Sequence, residues 1–414
     1  RWMPTWNVSG AWNVHEESFF PKLKPLSSLT FRVSYSLTGT PPDASYCNAL
    51  TKLSMNTPYR PTTTDKELGF VVAALGNDEL TYEKKHEFNF GVDAGFFNNR
   101  LNVTFDVYQR RNFDEIAPTV TQLYGTAYAN VGSMKSWGEE LSISSTNVKT
   151  NDFSWQTSLI YSHNRTEITN LYNQGRVIDL VQGNGFAKQG YPARALFSIP
   201  FVGINEKGNP VCINEKGQAT VGDLNFQERN NTDYLIYEGS TDPIYNGSLG
   251  NTFNYKGFHL NLFLTYAFGN VVRLDPVFKA KYNDLTSMTH DFKNRWMQPG
   301  DENVTNVPGV VSRYEYEQNR TLLSTAYNAY NYTSVRTAKG DFIRLKEISL
   351  AYDFPHRWLE NSPVNNISLK LQATNLMLLY ADKKLNGQDP EFMNAGGVAS
   401  PMPKQFTLTL KLGL

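Results

Sequence analysis

The chain has 414 residues with 39 basic and 39 acidic side chains, so its formal charge is zero and no basic excess points to nucleic acid. Mean hydropathy is −0.45 and no run of eighteen apolar residues occurs, which argues against a transmembrane helix. A membrane β-barrel stays open, because alternating faces dilute hydropathy by half.

In chain order, the first strand carries Trp6, Val8, Gly10, Trp12 and Val14 on one parity, and the next carries Leu29, Phe31, Val33, Tyr35 and Leu37. A hairpin follows, with Phe88, Phe90, Val92 and Ala94 before a tight Asn98-Asn99 turn and Leu101, Val103, Phe105 and Val107 after it. Residues 137–145 pair with 153–161 across 149–152, and 249–255 with 257–268 across Lys256-Gly257. The last of these strands is the clearest: Phe258, Leu260, Leu262, Leu264, Tyr266 and Phe268 face one way, and His259, Asn261 and Thr265 the other. Strands near 342–352 and 366–374 lead to a final one with Phe406, Leu408, Leu410, Leu412 and Leu414 against Thr407, Thr409 and Lys411. Glu139 shares parity with Trp137 and Leu141, which places it near a rim or a bulge. A short helix is expected within 276–298.

Connections alternate between short turns and long segments, roughly 39–83, 112–134, 165–246, 269–340 and 375–403. Strands of about nine to eleven residues, with this asymmetry, predict an all-β, antiparallel transmembrane barrel, about twelve of whose strands lie in this chain. Phe258, Leu260, Leu262, Leu264, Phe406, Leu408 and Leu410 are then the lipid-facing set. The alternative is a soluble, secreted all-β protein that binds or hydrolyses carbohydrate. Its sheet would need a second apolar layer, which the sequence does not supply.

No GxSxG, HExxH or Walker motif occurs, so no enzyme, cofactor or metal is expected. His15-Glu16-Glu17 reads as a polar turn rather than a metal site, and Asp389 and Glu391 as loop-fixing residues rather than a glycosidase pair. Arg344 reads as a partner in an inward salt bridge before a substrate contact. Cys47 and Cys212 are too few for a disulfide framework, and their pairing stays open. Long-loop aromatics are the ligand candidates: Trp296, Tyr314, Tyr316, Tyr327, Tyr330 and Tyr332. Flat rings stack on sugars or bury peptide side chains, and the competing reading is loop packing.

Several stretches resemble the later barrel region of SusC/RagA-like TonB-dependent transporters from the outer membranes of Bacteroidetes. They are SGAWNVHEESFF (9–20), LTFRVSYSLTG (29–39), EFNFGVDAGFFNNRLNVTFDVYQRRNFDEI (87–116), YANVGSMKSWGEELSISS (128–145), RWMQPGDENVTNVPG (295–309), GDFIRLKEISLAYDFP (340–355) and DPEF (389–392), in the family's order. Leu414 departs from the usual terminal aromatic, and Ser36 from a frequent glycine. The resemblance implies that residues 1–414 are the later part of one barrel of about 22 strands around a plug. The plug and TonB-contacting segments are then expected in other sequence. It further implies import of an oligosaccharide or oligopeptide, energy through TonB, and a SusD-like surface lipoprotein as partner.

Overall fold

The computed structural model describes residues 2–20, 25–43, 50–56, 69–74, 76–121, 125–172, 174–282, 287–360, 363–395 and 403–413. Its frame is one antiparallel sheet of 11 strands. They are β1 (Trp6–Asn13), β2 (Leu26–Thr40), β3 (Glu83–Phe96), β4 (Leu101–Thr121), β5 (Gly125–Lys149), β6 (Phe153–Leu171), β7 (Tyr245–Tyr255), β8 (Phe258–Phe268), β9 (Phe342–Asp353), β10 (Asn366–Ala381) and β11 (Gln405–Gly413). Each pairs with the next in sequence, so the sheet is an unbroken meander. Eleven of the expected twelve strands are in it among the described residues. Among the described residues β1 and β11 each pair with one neighbour.

Register fixes the faces. Phe258, Leu260, Leu262 and Leu264 of β8 stand beside Tyr352, Leu350, Ile348 and Leu345 of β9. Leu369 and Leu371 of β10 stand beside Leu410 and Leu408 of β11. This apolar face carries no second protein layer among the described residues. Phe258 is exposed, Leu260, Leu262 and Leu264 are half-exposed, and Phe406 and Leu408 are 71% and 69% exposed. Aromatics gather at both ends of it. Tyr255, Phe258, Tyr352 and Trp155 stand near the short-turn rim, and Tyr161, Tyr245, Tyr266 and Tyr380 further up.

At the first rim, β7 and β8 join through Lys256 and Gly257 at φ of 45° and 89°, the two positive φ values that a two-residue hairpin turn demands. A Cβ at Gly257 would lie 2.9 Å from the Asp353 carbonyl oxygen, so only glycine fits there. Asn98 and Asn99 take positive φ as expected, and so does Phe97 before them.

The second rim departs from expectation in two places. Residues 112–134 are not a long loop. β4 and β5 continue pairing across a bulge near Glu115 as far as Thr121 and Gly125, a tall hairpin with strands of 21 and 25 residues. Asn130 secures it, its side chain donating to the Thr81 and Asp114 carbonyls at 2.9 and 2.7 Å and accepting from the Thr81 amide at 2.8 Å. Strand lengths therefore exceed nine to eleven residues, because pairing persists beyond the apolar band. The helices also lie elsewhere. Within 276–298 the described residues hold a 3-10 turn at His290–Asn294, and the longer helices are α1 (Arg313–Gln318) and α2 (Arg320–Asn331). Among the described residues no helix is long and apolar enough to cross a membrane.

The hydrophobic core lies away from the sheet. The connections between β6 and β7, between β8 and β9, and between β10 and β11 fold together as a loop layer. Val177, Leu180, Val181, Phe197, Ile199 and Ala329 are buried in one cluster there, and Val272, Leu274, Ala338 and Leu385 in another.

Candidate functional site

Two surfaces could meet a solute: the polar face of the sheet and the loop layer at its second rim. On the polar face, residues of like parity on adjacent strands stand within reach of one another. Arg32 donates through Nε to Asp93 at 2.7 Å and through Nη2 to Asp106 at 3.0 Å, spanning β2, β3 and β4. Gly91 lies between them, and a Cβ there would sit 2.7 Å from the guanidinium carbon. Two rows up, Glu87 accepts from Lys85 at 2.9 Å and from Arg110 at 3.2 Å. Further round, His259 bridges Asn254 at 2.6 Å and Asp353 at 2.9 Å, and Glu347 lies 4.0 Å from Lys370. These groups are partly hydrated, so the pairs contribute little stability. Their effect is to leave a wall rich in hydrogen-bonding groups with its charges largely matched.

At the top of that wall Arg344 is buried. Its Nη2 donates to both Asp389 oxygens at 2.6 and 2.5 Å and lies 2.6 Å from Glu391 Oε2. The salt-bridge reading of Arg344 and the loop-fixing reading of Asp389 and Glu391 are thus one arrangement, binding the β10–β11 connection to β9. His15 likewise forms a polar turn: its ring bonds the Leu29 carbonyl at 3.0 Å, and Glu17 accepts from the Trp12 indole at 3.0 Å.

In the loop layer, the guanidinium of Arg273 is fully enclosed. It donates to the carbonyls of Thr333 and Phe197 at 2.7 Å each and to Ser198 Oγ at 3.0 Å. Among the described residues no carboxylate is bonded to it, and burial pulls its pKa down to about 10. It ties the β8–β9 connection to the β6–β7 connection. Cys212 is buried in the same layer and its thiol is pushed up to about 12, while Cys47 lies outside the described residues.

The six candidate aromatics separate. Tyr327 and Tyr330 are 1% and 2% exposed on the inner stripe of α2, and burial raises both phenols. Tyr327 donates to the Gly309 carbonyl at 2.5 Å, and Tyr330 meets Phe278 edge-on at 5.1 Å. Tyr332 packs edge-on against Phe226 at 6.2 Å. Trp296 donates to Glu302 at 2.9 Å and covers Gly208 and Gly309, where a Cβ would meet its ring. These four rings hold the loops together in this conformation, and Tyr327 and Tyr330 offer no free face. Tyr316 is partly covered, with Ser324 at 3.3 Å, and Tyr314 alone is open, at 78% exposure.

The missed signals were present in the sequence. Ser312-x-x-Glu315 is a helix-start pattern, and the Ser312 hydroxyl does accept from the Glu315 amide at 3.2 Å. Leu323, Ala326, Tyr327 and Tyr330 follow the i, i+3, i+4, i+7 rule of a buried helix stripe. The sequence also repeats Ile204-Asn205-Glu206-Lys207-Gly208 as Ile213-Asn214-Glu215-Lys216-Gly217. It builds two like turns, in which Asn205 and Asn214 each accept two backbone amides.

The profile of the family described as TonB dependent receptor-like, beta-barrel, matches residues 2–376. The chain belongs to that family. TonB-dependent receptor P3 of Formosa agariphila is 25% identical over 405 residues, covering 92% of this chain and 37% of that protein. TonB-dependent receptor SusC of Bacteroides thetaiotaomicron is 25% identical over 441 residues, covering 100% of this chain and 40% of that one. Among solved structures, the RagAB peptide transporter superposes with a TM-score of 0.76 at 24% identity, over 99% of this chain and 43% of that chain. That likeness bears on the fold. The chain thus spans about two fifths of the curated relatives that it matches.

As a TonB-dependent receptor barrel the chain is an outer-membrane protein, and the family is one of transporters and receptors. The soluble, secreted alternative is set aside. Its apolar face would need a covering layer, and the described residues provide none.

Proposed function

We propose that the chain forms the later part of the wall, and the loop cover, of an importer that carries an oligosaccharide or oligopeptide across the outer membrane. Residues 1–414 belong on this reading to one barrel domain, whose plug and TonB-contacting segment other sequence supplies. A SusD-like lipoprotein sits over the loop layer, and TonB delivers the energy. The observation that carries the reading is the polar, charge-matched face ending under a packed loop layer. A hydrated solute can slide along such a wall without a deep electrostatic trap, while the loops limit entry. No covalent chemistry is involved. Tyr314, and Tyr316 beside it, are the candidate aromatics placed to meet a ligand.

The apolar face is the lipid side in this reading. Arg at position 262 of the full-length protein should cost about 2–4 kcal/mol at mid-bilayer. The folded, fast-migrating barrel should then be depleted in membranes. Normal assembly of Leu262→Arg would show that this face does not meet lipid.

For function, the ligand retained by the native complex is to be identified by mass spectrometry and offered back to cells. Its uptake should stop when the proton-motive force is collapsed and in cells without TonB. Uptake that persists under both conditions would leave a passive pore, not an energised importer.

A further inference from the structure

We propose that the upper rim of the apolar face grips the phosphorylated headgroup of an outer-leaflet lipid, through Arg165 and Arg111 beside Trp137. Register places His86, Arg111, Lys135 and Glu167 side by side across β3 to β6, with Gln109, Trp137 and Arg165 in the row beneath. Lower rows pass through Glu139 and His163 to Phe105, Leu141 and Tyr161, where the apolar band begins. Arg165 stands about twelve positions along β6 from Phe153, or about 30 Å up the membrane normal for a strand tilted about 40°. That is headgroup height, where aromatic rings and long cationic side chains settle.

The charges there are not all spent on one another. Lys135 pairs with Glu167 at 2.8 Å, and Asp242 with Arg194 at 2.7 Å. Glu139 accepts from Tyr161 at 3.4 Å and lies 3.9 Å from His163. Arg111 and Arg165 are exposed, and neither has a carboxylate within ion-pair distance among the described residues. Beside Arg165 the wall and the 190–192 and 237–244 segments enclose a cleft of about 460 Å³. Trp137, Pro192, Tyr237, Pro243 and Ile244 give it apolar sides; Arg165 lines it as a cation without an ion-pair partner among the described residues, beside Glu167 and Asp242, whose charges Lys135 and Arg194 match. Lys135 hangs over the Trp137 ring at 5.6 Å, its charge already matched by Glu167. A guanidinium fork matches two phosphate oxygens, and the apolar sides suit the sugar and the first acyl carbons. Solvated rim charges alone would need no such cleft.

The inference rests on the lipid-side reading of the apolar face. Leu262→Arg tests that reading through assembly, whereas the experiment here reads lipid held by assembled protein, so the two failures are distinct. Full-length protein in detergent is titrated with bis-phosphorylated lipid A and with dephosphorylated lipid A, and bound lipid is counted by native mass spectrometry. The unmodified protein should prefer the phosphorylated form by about tenfold or more. The Arg111→Ala/Arg165→Ala double variant, first shown to migrate as folded barrel, should lose that preference. Equal binding of the two lipids by the unmodified protein overturns the proposal without any variant. So does an undiminished preference in the folded double variant. Complete displacement of lipid A by excess inorganic phosphate would assign the site to a free anion and overturn the lipid assignment.

Discussion

Replacing Arg344 by Met should loosen the β10–β11 connection while leaving the sheet paired. The guanidinium is 4% exposed and faces two carboxylates, Asp389 at 7% and Glu391 at 36%. Removing the cation leaves both acids uncompensated beside the wall. Breaking a buried pair in this way costs about 3–5 kcal/mol, more than the pair contributes when intact. The strain falls on residues 382–395, whose Leu385 is buried against Val272, Leu274 and Ala338. β9 keeps its main-chain bonds to β8 and β10 through this change, because they do not involve the side chain. Limited proteolysis of full-length protein should therefore cut Arg344→Met near Lys383 and Lys384 while the barrel still migrates as folded. Adding Asp389→Asn and Glu391→Gln should restore much of the protection, since no bare charge then remains. Unchanged cleavage in the single variant would mean that Arg344 does not hold this connection.

The sheet was legible because a strand states its faces in two-residue steps. Phe258 to Phe268 and Phe406 to Leu412 have nothing else to satisfy, and register then follows from matching apolar rows. The 112–134 segment looks like a loop in sequence because Asn112, Asp114 and Glu115 interrupt the alternation. In three dimensions they form a bulge, with Asn112 donating to Glu115 at 2.9 Å, and pairing resumes beyond it. Loop-layer residues were harder to read because their partners are remote in sequence. Arg344 meets Asp389 across 45 positions, and Arg273 meets Phe197 across 76. No local pattern marks such contacts. The helix α2 was the exception, since its stripe was local and the tyrosines on it were read singly, as loop aromatics, rather than as a period.

That period decides what the tyrosines do, and Tyr330→Ala against Tyr314→Ala separates the two roles. Tyr330 is enclosed by Phe278 at 5.1 Å and Phe201 at 5.7 Å. Truncating so large a buried ring should cost about 3–5 kcal/mol, because the surrounding loops are crossed by fixed bonds and cannot close the cavity fully. The bonds include Asn331 to Phe278, made through its side chain to the amide at 3.1 Å and the carbonyl at 2.8 Å. Tyr330→Ala should thus raise amide hydrogen exchange across Phe278, Asn331 and the rest of α2, with ligand retention falling only as the layer loosens. Tyr314→Ala removes an exposed ring two residues from the Ser312 cap, so exchange should stay within a few tenths of a kcal/mol of the unmodified protein. Any loss of ligand in that variant would be a direct contact. Tyr330→Ala leaving exchange unchanged while abolishing ligand retention would return Tyr330 to the binding surface and show that the loop layer opens in the working protein.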